Sequence, residues 1–127
     1  MKIERSWFFV GPYSHPEKNI KQESQAKIIP RNSSFGLMLT FPPEKREAKF
    51  TAILEVPSNP KSFYCEACKN GKLRFEENKV IVEYNYPLEK GWFAFYWAIG
   101  FTEPAGDYAM SIEVDGERQA YHEFKIE

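Results

Sequence analysis

Cys65 and Cys68 are the only cysteines in the chain, and their Cys-x-x-Cys spacing is its one recognisable short motif. Two thiolates so placed can chelate Zn²⁺ from a tight turn, but a structural zinc site wants four ligands. The other candidate donors, His15 and His122, are the only histidines and lie far from the pair and from each other. A redox pair would stand at the start of a helix, where the dipole lowers the first thiol's pKa. The run from Phe63 to Gly71 reads instead as a loop or hairpin tip. Reduced structural thiols are therefore the default reading, with metal and redox roles as the alternatives, and no metal or cofactor is expected.

His122 falls on the inward parity of the last apolar segment, where a lone histidine is more often a core or rim residue than a ligand. Asp107, Glu113 and Asp115 share one hairpin. Strand alternation places Asp107 and Glu113 on the solvent face, and Asp115 belongs to the turn. No Gly-rich phosphate loop, nucleophile elbow or Ser/His/Asp arrangement is present. These absences predict a protein that is not an enzyme.

The aromatic residues carry more information, at 17% of the chain. The segment Trp92–Phe101 is the densest in them. One parity holds Phe93, Phe95, Trp97, Ile99 and Phe101; the other holds Trp92, Ala94, Tyr96, Ala98 and Gly100. A strand apolar on both parities is either central and covered on both faces or keeps one face for a partner. Trp92 and Tyr96, joined by Phe8 from the first strand, form the candidate binding set on the parity opposite the core. Three readings stand for them: cover by loops or by the polar Glu17–Ile29 segment, a protein interface, or a platform for stacking on a sugar.

These residues need elements to hold them. Period-two alternation marks strands at Ile3–Tyr13, Phe35–Phe41, Lys49–Val56, Leu73–Phe75, Val80–Tyr86, Trp92–Phe101 and Tyr108–Val114, with a last strand through Ala120, His122, Phe124 and Ile126. Glu17–Ile29 alternates weakly and reads as a charged edge strand. Asp115-Gly116 is a two-residue hairpin signal, because a type I′ turn needs positive φ at both central positions. Pro42-Pro43 stops a strand by removing ladder donors. The result is about eight or nine short strands with no helix: an all-β, antiparallel β-sandwich filling one domain over residues 1–127, with a closed barrel as the alternative.

Charge is balanced, with 17 basic and 18 acidic residues. No block of like charge points to nucleic acid or to a membrane surface, so neither is expected as a partner. The opening MKIERSWFFVG lacks the apolar run and small-residue cleavage site of a secretory signal, and no stretch reaches membrane-spanning length. A cytoplasmic location is the expectation.

Two pieces of the chain resemble a bacterial family known only as a domain of unknown function. Ile28–Leu39, IIPRNSSFGLML, is similar to its Ile-Pro, short spacer, Phe-Gly pattern. Pro104–Ile126 is similar to its closing Pro-Gly-aromatic strand, turn and final Phe-x-Ile strand, with Tyr108 where the family pattern has a tryptophan. The resemblance implies an immunoglobulin-like sandwich and supplies no catalytic residues. The combined expectation is a non-enzymatic module acting through protein contacts, either with a protein partner or as a homodimer through the Trp92–Phe101 sheet. The alternative is a carbohydrate-binding module using exposed aromatics.

Overall fold

Alternating apolar residues give eight strands in the computed structural model, which describes residues 2–63 and 71–127. They are β1 (Arg5–Pro12), β2 (Ser33–Thr40), β3 (Glu47–Glu55), β4 (Lys72–Glu76), β5 (Lys79–Pro87), β6 (Trp92–Ile99), β7 (Gly106–Val114) and β8 (Glu117–Ile126). The Cys65 and Cys68 pair lies outside the described residues. Two sheets form, one ordered β1-β2-β6 and the other β4-β5-β3-β7-β8, and every pairing is antiparallel. Separate sheets make the fold a sandwich and set the barrel alternative aside. No helix among the described residues is long and apolar enough to cross a membrane.

The inward parity of each strand builds the core. Phe35, Leu37 and Leu39 of β2 and Phe93, Phe95 and Trp97 of β6 meet Phe50, Ala52 and Leu54 of β3 and Met110 and Ile112 of β7 in one buried cluster. Phe50 is fully buried and packs on Phe93 at 4.4 Å between ring centroids, tying the two sheets together. The β7–β8 turn has the expected geometry: φ is 49° at Asp115 and 87° at Gly116. Asp115 also fixes the hairpin against β3, its Oδ1 accepting from Lys49 N at 3.0 Å.

One expectation fails, for a physical reason. Glu17–Ile29 is not an edge strand. Pro16 opens a short 3-10 helix, Pro16–Asn19, and the rest runs as bends and coil up to one parallel bridge between Ile28 and Lys125. Proline has no donor for a ladder, and Ala26 and Ile28 alone make too short an apolar stripe to hold a strand on a sheet. The segment still protects edges, as a strap. Ser24 N donates to Phe8 O at 2.7 Å on β1, and Ile29 N donates to Lys125 O at 2.9 Å on β8. It thus closes one edge of each sheet on the same side of the sandwich.

Of the two readings of the aromatic strand β6, the central one is set aside. Among the described residues the strand pairs with β2 alone and forms an edge of the three-stranded sheet. Its apolar character on both parities therefore needs an explanation other than a neighbour on each side.

Candidate functional site

Register decides which aromatics face out. Phe8 lies opposite Leu37, a core residue, so period two sends Phe8 inward. It is 3% exposed and stacks on His122 at 3.8 Å between centroids, with an interplanar angle of 13°. Phe8 is therefore removed from the candidate binding set. Its neighbours Trp7 and Phe9 take the outer face instead, where they form a second small core with Met38, packed against Ile20, Ala94 and Tyr96. Trp7 Nε1 donates to Ile20 O at 2.9 Å, and the Arg5 guanidinium lies 4.6 Å over the Trp7 ring. One signal for this outer core was Ile20, an apolar residue set between Asn19 and Lys21.

The strap consequently covers the β1 and β2 part of the outer face, and its 3-10 helix reaches β6, where Trp92 at the start of the strand is the one outer-face residue left exposed. Trp92 is 43% exposed, Tyr96 is half-buried against the outer core, and Phe101, just past the strand, is 73% exposed. Along the outer face of β6 the residues run Trp92, Ala94, Tyr96, Ala98, large alternating with small.

The backbone of β6 is equally distinctive. Phe41 N donates to Gly91 O at 3.0 Å, so that carbonyl points at β2. Across a trans peptide the next N–H points the other way, and along an antiparallel strand the direction alternates residue by residue. The N–H and C=O groups of Trp92, Ala94, Tyr96 and Ala98 therefore point away from β2, and among the described residues none has a hydrogen-bond partner there. The opposite edge of the same sheet is closed: besides the Ser24 contact, Asn19 Nδ2 donates to Val10 O at 3.2 Å. The usual edge defences, a charge or a proline in the strand, are missing from WFAFYWAI.

The remaining candidates fall into ordinary surroundings. Among the described residues Asp107 makes only an exposed pair with Lys125 at 3.9 Å, and Glu113 lies opposite Arg118 in the ladder. His15 Nδ1 is 2.9 Å from Ser14 Oγ on the surface. Burial pushes the Tyr84 and Tyr108 phenols up to about 12, so both are neutral near pH 7. The buried indole of Trp97 leaves Nε1 without a partner among the described residues, a cost of about 1–3 kcal/mol.

His122 does have a role, as a clasp. Its Nε2 is 3.0 Å from Ala26 O on the strap, while its ring lies on Phe8. Burial is the largest influence on it and lowers its pKa below the ordinary 6.5; the Ala26 carbonyl and Glu123 act upward and Lys27 downward. The unfolded chain then takes up a proton that the folded one resists. Stability is expected to be steady above pH 6.5 and to fall as pH drops below that value toward the lower folded pKa. Urea unfolding at a series of pH values checks this, and His122→Phe should flatten the slope.

Comparisons with known proteins agree with the architecture. The family model described as PM0630 beta sandwich domain matches residues 8–127. A crystal structure of an immunoglobulin-like protein from Pseudomonas aeruginosa is similar with a TM-score of 0.66 at 10% identity, covering 100% of this chain and 98% of that one. An alkylpurine DNA glycosylase from Pseudomonas fluorescens, solved with DNA containing an abasic site analogue, gives a TM-score of 0.47 at 9% identity. The match covers 98% of this chain and 30% of the glycosylase chain. No curated protein matches the sequence. At such identities the first likeness bears on fold alone, an immunoglobulin-like sandwich.

Proposed function

The chain belongs to the PM0630 beta sandwich domain family, and on that premise we propose that it is a non-enzymatic module acting through protein contacts, with the outer strip of β6 as its contact surface. The observation that carries this reading is the 43% exposure of Trp92 at the start of β6, with Phe101 73% exposed just beyond the strand's end, while the strap packs on Trp7, Phe9 and Met38 of the same sheet. Large aromatics at a partly covered face are the residues on which protein interfaces concentrate their binding energy. The strip is also self-complementary. Two copies laid face to face and antiparallel can set Trp92 and Tyr96 of one into the gaps over Ala94 and Ala98 of the other, so a second copy is the first partner to test. The working location is the cytoplasm, where Cys65 and Cys68 stay reduced.

Stacking on a sugar would use the same Trp92 indole, and the clefts lined by Trp7 and His122, by Pro43 and Glu89, and by Val114 and Gln119 do not include Trp92 or Tyr96. Protein contact is therefore preferred. Trp92→Ala is expected to abolish self-association while moving the thermal midpoint by no more than a few degrees, since the side chain is half exposed. Size-exclusion chromatography beside thermal melts checks both. Equal association in Trp92→Ala and wild type would remove the strip from the interface.

A further inference from the structure

The two sheets differ in width, and β6 lies where the narrower one ends. Its inward rings contact β3 and β5: Phe93 meets Phe50 at 4.4 Å and Tyr86 at 4.9 Å, and Phe95 meets Tyr84 at 5.6 Å. The strand outside β5 is β4, whose Leu73 and Phe75 stand opposite the core residues Val82 and Val80 and so share their inward face. Leu73 is nevertheless 46% exposed and Phe75 half-buried. An apolar residue on the core face of a sandwich is exposed to that degree only where the opposing sheet does not reach over it.

We propose that the free edge of β6 accepts an extended segment of another polypeptide, which adds antiparallel as a fourth strand and lays apolar side chains at alternate positions on Leu73 and Phe75. The inference rests on the protein-contact reading of β6 and names the form of the partner. Paired strands lie about 4.8 Å apart, so one added strand fills the width that β4 extends beyond β6. Its backbone would satisfy the outward N–H and C=O groups of Trp92, Ala94, Tyr96 and Ala98, the mode of recognition in which main-chain bonds give affinity and alternate side chains give selectivity. A second copy cannot dock edge to edge here, because its own five-stranded sheet would collide with the overhanging β4. Charge sets the direction. The ring contacts of Tyr84 and Tyr86 run β5 toward the Trp92 end, which puts Glu77 of the β4–β5 turn at the Ile99 end, the end where Glu103 Oε2 accepts from Gly100 N. Lys90 stands at the other end, next to Glu89. A basic N-terminal flank on the added strand meets the acidic end.

The probe is a fluorescein-labelled peptide, Lys-Lys-Val-Thr-Val-Thr-Val-Thr-Glu, with two further versions N-methylated on one or the other set of alternate residues. Fluorescence anisotropy on the full chain should show saturable binding below about 1 mM. One N-methyl set should weaken it about tenfold or more and the other leave it nearly unchanged, because only alternate amides face the ladder. Leu73→Lys should weaken it similarly, as should Ala94→Pro, which deletes a free-edge donor. Trp92→Ala, an outer-face change, should leave it within about twofold. The N-methyl pair needs no protein variant and stands even if Ala94→Pro fails to fold. Absence of saturable binding, or equal tolerance of both N-methyl sets, overturns strand addition. If Trp92→Ala still abolishes self-association in that case, the outer strip survives alone as the contact surface. Peptide binding by a protein that is monomeric at every concentration has the opposite meaning: strand addition stands and the self-associating strip falls.

Discussion

Phe50→Ala is expected to lower the unfolding free energy by about 3–5 kcal/mol. Phe50 sits on β3, the middle strand of the five-stranded sheet, and is fully buried. Its ring lies 5.9 Å from Phe41, 5.3 Å from Tyr86 and 4.4 Å from Phe93, so truncation empties a space shared by both sheets. The lost transfer energy of a phenyl ring is about 1.5–3 kcal/mol, and the rest comes from a cavity that paired strands cannot collapse into. Against a typical total of about 5–15 kcal/mol, that change leaves a marginal domain. Urea unfolding should show a lower midpoint at an unchanged slope. A loss under about 1 kcal/mol would mean that the ring does not bridge the sheets.

Gly36→Ala should destabilise as well, by about 3 kcal/mol, at the upper end for overpacking. The usual effect of such a change at a compatible site is a small gain, because alanine restricts the unfolded chain. Here the sign reverses. Gly36 is on the outer face of β2, between Phe9 of β1 and Tyr96 of β6. A methyl group there would meet Phe9 Cζ at 2.5 Å and Tyr96 Cβ at 2.9 Å, with Phe95 O nearer still. The ring could turn aside, but the carbonyl belongs to β6 and can retreat only if the β2–β6 pairing opens. The loss should therefore be accompanied by loosening of β6. An unchanged or raised urea midpoint would contradict this packing.

Much of this architecture was legible in the sequence, for reasons that can be traced residue by residue. Phe50, Ala52 and Leu54 alternate against Lys49, Thr51 and Glu55, so β3 had one possible inward face. Asp115-Gly116 could serve little but a tight hairpin. What failed was information that local pattern does not carry. Alternation says which residues share a face, not which strands are neighbours, so it left β6 either central or with one face for a partner, and only the strand order puts it at an edge. In β1 both parities are aromatic, and only the register with β2 decides that Phe8 goes inward and Trp7 and Phe9 outward; Gly36, which makes room for the outer rings, was the clue. The strap was misread because its hydrogen bonds go to Phe8, Val10 and Lys125, remote in sequence, rather than to a hairpin partner. Trp92 and Tyr96 were placed on the correct face, while the open backbone of the same strand could be recognised only once the strand order was known.

Light scattering across a concentration series, on wild type and on Trp92→Ala, tests the contact role of β6 most directly. The wild-type mass should rise from the 14.9 kDa of one chain toward twice that value as concentration increases, while Trp92→Ala stays at 14.9 kDa. A wild-type mass fixed at 14.9 kDa throughout, or a rise that the variant shares, would contradict self-association through the β6 strip.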